Sequence, residues 1–193
     1  MRFPPLLPSL GAAALVFMPS LAFAHPGHAP SGLVSGIAHP LGGLDHLLTM
    51  LAVGLWAAQQ QGSARYLVPL TFLASMLLGG GLGLAGLRLP YLETGIAGSV
   101  LGLGLLVAVA ARVRLSKALA ITALFAFAHG LAHGLEGPVQ SAWSYVAGFM
   151  LATAVLHAVG YALVRQLPRA ASPLVRLAGL LSAAAGAWLL VSG

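Results

Sequence analysis

The sequence predicts an all-α integral membrane protein: a bundle of six transmembrane helices that remains after a signal peptide is removed. Three observations carry this reading. Of 193 residues, 59% are hydrophobic and only 6% are charged, whereas a soluble domain carries about 25% charged residues. Apolar runs of spanning length follow one another along the whole chain, and the few basic residues between them fall almost entirely on one side. The domain organisation expected is therefore 1–24 as signal peptide and 25–193 as a single six-span membrane domain. Some function classes drop out at once. The chain has no cysteine, so neither disulfides nor thiolate ligands are available. It has no P-loop, hence no nucleotide engine. The net charge of +6 is spread over many loops rather than gathered in a patch, so no nucleic-acid partner is expected.

Residues 1–24 have the layout of a secretory signal: Arg2 as the positive end, Leu10 to Phe17 as the apolar middle, and Ala22-Phe23-Ala24 as an A-x-A cleavage site. Cleavage exposes a tail, His25-Pro26-Gly27-His28, whose amine and two imidazoles form a weak metal-capturing group. The alternative is an unstructured polar tail.

The first apolar segment holds His39-Pro40-Leu41-Gly42-Gly43-Leu44-Asp45-His46. Read with Pro40 as first helical residue, a helix to Gln59 is about 30 Å long, enough to span. Read otherwise, Pro40 and Gly42-Gly43 break a helix that starts near Leu33. Such a break at membrane depth is tolerated only where it lines a cavity or is buried in protein. On a continuous helix His39 and His46 would be nearly eclipsed. Asp45 lies about 100° off that line, either as a ligand or as a partner for an imidazole N–H.

The next segments run roughly 67–87, 92–111, 118–136, 142–164 and 174–191. The second and third are dense in glycine, which permits close helix–helix approach in lipid. The fourth ends in Ala128-His129-Gly130-Leu131-Ala132-His133-Gly134-Leu135-Glu136. At 100° per residue His133 sits about 40° from His129, and Glu136 about 20° to the other side. Two imidazoles and a carboxylate thus share one stripe. Ionisable groups inside a span are costly and mark a site or pathway; the alternative is a pair of core histidines bonded to neighbouring carbonyls.

With the mature amino terminus outside, the inner loops carry Arg65, Arg112, Arg114, Lys117, Arg165, Arg169 and Arg176, and the outer side keeps only Arg88. That positive-inside pattern predicts both mature termini on the periplasmic side of a bacterial inner membrane. Trp56, Trp143 and Trp188 fall near span ends, where interfacial aromatics belong. The orientation brings Asp45, Glu93 and Glu136 toward the outer face together with His39, His46, His129 and His133. Glu93 is read either as a helix N-terminal carboxylate or as a further site member. His157 lies about 22 Å down its span, in the inner half, as a core histidine or a relay.

Imidazole and carboxylate donors without thiolate suit borderline divalent ions: Ni2+, Co2+, Zn2+ or Cu2+. Several donors at an outer mouth fit capture of an ion that then crosses the bilayer. The transition metal ion is then substrate, the bilayer is the other partner, and a homo-oligomer is left open.

The histidine–five–aspartate–histidine form of His39, Asp45 and His46, with His129-Gly130-x-Ala132-His133-Gly134-x-Glu136, resembles the HupE/UreJ family of bacterial nickel permeases. The signal peptide followed by His25, the Pro90-x-x-Glu93 start of the third span with Ser99, and the six-span layout also fit. The resemblance implies ATP-independent nickel uptake for hydrogenase or urease maturation. It carries His39, Asp45, His46, His129, His133 and Glu136 over as metal-site residues. Two other classes compete: an intramembrane zinc hydrolase with Glu136 or Asp45 as base, and a b-type haem protein with histidines on facing helices.

Overall fold

The computed structural model describes residues 32–137 and 141–192. The expected signal peptide, His25 and His28 lie outside the described residues. These contain seven α-helices and no strand: α1 (Leu33–Gly42), α2 (Leu44–Gln59), α3 (Ala64–Leu84), α4 (Leu92–Ala108), α5 (Leu115–Glu136), α6 (Ala142–Gln166) and α7 (Ser172–Ser192).

The first segment is broken. α1 and α2 meet at Gly43 with a bend of 87°, so the continuous helix from Pro40 to Gln59 does not form. Pro40 instead sits buried near the end of α1, where its missing N–H removes one bond of the helical ladder. Gly43 is in extended backbone; a Cβ there would come within 2.8 Å of Asp45 Oδ1 and 3.1 Å of His46 Nδ1. The absent side chain leaves room for the pair that opens α2.

Four helices, α3, α5, α6 and α7, are long and apolar enough to cross a membrane, and the bent α1–α2 pair makes a fifth candidate. α4, at 17 residues, is about 25 Å long and falls short of the hydrocarbon thickness of about 30 Å.

Helices that are not sequence neighbours form the strongest pairs: α3 with α5, α4 with α7, and α6 with both α1 and α2. Glycine makes these approaches close. A Cβ on Gly130 or Gly134 would run into the backbone of α3 at Met76 and Gly80, and one on Gly54 of α2 into the His157 carbonyl of α6. With no side chain between them the backbones gain van der Waals contact, the attraction left to helices in lipid. α2 runs through the middle, and the buried core gathers Met50, Val53, Trp56, Val68, Phe72 and Leu103 around it.

Trp56 corrects an expectation. It is fully buried, and its Nε1–H donates to the Ala111 carbonyl at 2.9 Å. Gln60 Nε2 donates to the same oxygen at 2.8 Å, and Gln59 Nε2 to the Val107 carbonyl at 3.1 Å. Carbonyls at and beyond the end of α4 thus gain side-chain donors from the end of α2, Val107 in addition to its bond from the Ala110 N–H at 3.0 Å. Trp143 and Trp188, by contrast, are exposed.

Candidate functional site

The end of the bundle where α1 turns into α2 also holds the last turns of α5 and the start of α6. Four imidazoles meet there. His39 comes from the last turn of α1, His46 from the first turn of α2, and His129 and His133 from the buried stripe of α5. The ring of His46 lies 5.8 Å from that of His39, 4.4 Å from His133 and 4.9 Å from His129, centroid to centroid; His39 and His133 are 4.7 Å apart. The 87° bend therefore brings His39 and His46 together from two helices, as the broken-helix reading of the sequence allows, and not as an eclipsed pair on one continuous helix.

The polar neighbours are specific. His46 Nδ1 lies 2.9 Å from Asp45 Oδ1, so the ring donates its N–H to the carboxylate. His129 Nε2 lies 2.7 Å from Ser99 Oγ on α4, and the Ser99 hydroxyl donates to the Ile96 carbonyl at 2.7 Å. His39 Nε2 is 3.8 Å from Glu136 Oε2 at the exposed end of α5. The other ring nitrogens are bare. His46 Nε2, His129 Nδ1 and both nitrogens of His133 are buried without a hydrogen-bond partner, with His129 at 0% and His133 at 3% exposure. An unmade hydrogen bond on a buried polar atom costs about 1–3 kcal/mol, so four such atoms in one cluster call for an explanation.

An open cavity of about 620 Å³ adjoins the cluster, with His39, Asp45, His46, Glu93 and Glu136 among its lining. Glu93 is exposed at its rim. The cavity wall thus carries all three acidic residues of the chain. Among the described residues, no three His, Asp or Glu side chains already form a shell that could hold a metal ion. The rings instead pack edge to face or tilted against one another. Coordination by three of them requires side-chain rotation within the cluster.

His157 stands apart. It is 4% exposed, both its nitrogens are unpartnered, and its ring lies against Phe72 at 5.0 Å. It lines a separate cavity of about 310 Å³ with Gly54, Arg65, Tyr66 and Tyr161.

Sequence reasoning left out three residues that shape the cluster. Phe149 packs on His133 at 4.0 Å, Tyr145 on His39 at 5.9 Å, and Phe72 lies 6.2 Å from His129. As apolar or aromatic residues in apolar spans they carry no distinguishing signal. Ser99 was noted beside Glu93, but its bond to His129 spans two helices and has no trace in local spacing.

An all-helical bundle with four to five apolar span candidates among the described residues is the class of a multi-pass membrane protein, and one end of it gathers imidazoles and carboxylates. The HupE / UreJ protein family model matches residues 13–189. The protein HupE of Rhizobium leguminosarum bv. viciae is 42% identical over 193 residues, covering 99% of this chain and 100% of that one. The chain belongs to the HupE/UreJ family, a family of transporters associated with nickel and cobalt uptake for hydrogenase and urease. It is a transmembrane permease and not an enzyme, which sets the zinc hydrolase aside. No solved structure matches the chain.

Proposed function

We propose that the protein is an ATP-independent permease that takes up a divalent transition metal ion, Ni2+ foremost, across the bacterial inner membrane. In this reading the bent α1–α2 pair and the short α4 each count as a span, giving six after signal-peptide removal, with both mature termini periplasmic. The metal site comprises His39, Asp45, His46, His129, His133 and Glu136, with Glu93 at its rim.

The observation that carries the proposal is the set of bare, buried ring nitrogens on His46, His129 and His133 beside an acid-lined cavity. A neutral imidazole whose lone pair has no hydrogen bond to lose is a ready ligand for a borderline cation. The acid-lined cavity raises the local cation concentration, and its carboxylates replace water as the ion sheds its shell. Inward movement of two charges gains about 4.6 kcal/mol at 100 mV, at about 2.3 kcal/mol per charge, so no nucleotide is needed. Nickel leads over cobalt, copper and zinc because the family is associated with hydrogenase and urease.

The test is radiolabelled uptake of Ni2+, Co2+, Zn2+ and Cu2+ into cells with and without this chain, paired with equilibrium nickel binding to purified protein. Saturable nickel uptake that needs the chain and survives ATP depletion while the membrane potential is held supports the reading. Nickel binding absent from purified protein refutes it, and a Soret band in that same sample would move the histidines to haem.

A further inference from the structure

We infer that Ser99 is a positioning residue that sets the tautomer of His129, and so decides which ring nitrogen meets the metal ion; this rests on the metal-site reading above. A serine hydroxyl has one proton and two lone pairs. Ser99 Oγ makes two short contacts at once, 2.7 Å to the Ile96 carbonyl oxygen and 2.7 Å to His129 Nε2. The carbonyl can only accept, so the hydroxyl proton goes to Ile96. Were that proton turned to the ring instead, two oxygens would face each other at 2.7 Å with no hydrogen between them. His129 Nε2 therefore carries the ring proton and donates it to Ser99 Oγ, and Nδ1 keeps its lone pair.

Nδ1 is the atom of His129 that is buried without a partner. Residues with an alternative use for that lone pair are absent from its described hydrogen bonds, so the nitrogen is held ready. Ser99 is itself fully buried, on a helix different from those of the four histidines, which gives α4 a direct hand in the site. His46 is arranged by the mirror-image device. Asp45 accepts its Nδ1–H, and the bare nitrogen there is Nε2. Two adjacent rings thus present opposite nitrogens, each fixed by an oxygen on its other side. His133 has no such partner on either nitrogen and is free to use whichever the ion selects.

The partners that orient a ligating histidine are typically worth 10–100-fold in metal affinity. The experiment uses the full mature chain in lipid nanodiscs. The 15N signals of its histidines are recorded without metal, and His129 is assigned by its loss in His129→Ala. The expected spectrum shows His129 as a neutral ring protonated at Nε2 only. Ser99→Ala should mix the two tautomers and weaken nickel binding by about 10–100-fold, and Ser99→Thr, which restores the hydroxyl, should recover most of it. A wild-type ring protonated at Nδ1 overturns the inference even if no variant folds. Unchanged nickel affinity in Ser99→Ala, with affinity lost in His129→Ala, overturns it and leaves the metal site standing. Unchanged affinity in His129→Ala removes the metal-site reading and this inference together.

Discussion

His129 and His157 are both buried imidazoles beside the ring of Phe72, yet their surroundings differ in kind. His129 has a hydroxyl on one nitrogen, a second imidazole 4.9 Å away, and helices α2, α4 and α5 converging on it. His157 has a phenyl ring, no hydrogen bond on either nitrogen, and a cavity whose lining includes a cation, Arg65, and no carboxylate. A single bare histidine in apolar surroundings offers one ligand with nothing to fix its tautomer or share the ion's charge. Several histidines with oxygens behind them offer a site. Burial alone does not separate the two; company does.

The sharpest test of that contrast compares truncations on the two sides. His129→Ala or Asp45→Ala should lower nickel affinity and uptake by about 10–100-fold, since each removes a ligand or the group that orients one, while abundance in the membrane stays normal. His157→Leu, close in volume, should leave nickel affinity within about twofold. Equal loss of affinity at both places would erase the distinction and put His157 in the binding site.

Acidification should separate them next. A metal ion ligates only neutral imidazole, so protons compete with it ring by ring. Histidine titrates near ~6.5 when unperturbed. Nickel affinity should therefore fall once the rings begin to take up protons, and two competing rings give about 100-fold per pH unit where both are protonated, which means more than one proton displaced per ion. The same slope is expected in His157→Leu. Isothermal titration of purified protein in two buffers of different ionisation heat counts the protons directly. A profile that stays flat even where the metal-free protein takes up protons would mean that the imidazoles are not the ligands.

The scaffold offers a third comparison. Gly130 lies between His129 and His133 on α5, and a Cβ there would meet the Met76 backbone of α3; at Gly81 nothing lies within 4 Å. Gly130→Ala should force the two helices apart, costing about 1–3 kcal/mol and displacing both histidines. Gly81→Ala should be silent. Thermal unfolding in detergent reads the first effect, and nickel binding reads the second.

How much of this was readable from the sequence follows from which interactions are local. His129, His133 and Glu136 could be put on one face because helical spacing decides that alone. The break near Gly43 was one of two readings, and the choice between them rested on packing that Gly43 permits around Asp45 and His46. Helix pairing was not readable, because glycine-rich faces on α3 and α4 look alike until their partners are known. Trp56 was misplaced for the same reason: its indole is committed to Ala111, 55 positions away. Ser99 and Phe72 matter through neighbours on other helices, and a single span shows neither.

The smallest effect belongs to the amino-terminal tail, which sharpens the comparison from outside the bundle. His25 and His28 precede the described residues, and the proposed cleavage and orientation put them on the outer side, at the new amino terminus. Pro26 lacks the backbone N–H whose loss would supply an amide-nitrogen ligand, so the tail has only its amine and two rings to offer. A weak donor set tethered near a mouth acts by raising the local ion concentration. That gain disappears once the ion is abundant enough to fill the inner cluster unaided. His25→Ala with His28→Ala should therefore raise the apparent KM for nickel by about two- to fivefold and leave the maximal rate nearly unchanged. Uptake measured from scarce to saturating nickel separates the two parameters. A collapse of the maximal rate at saturation would place the tail inside the pathway, beside His39 and His46, and the division between capture and coordination would fall.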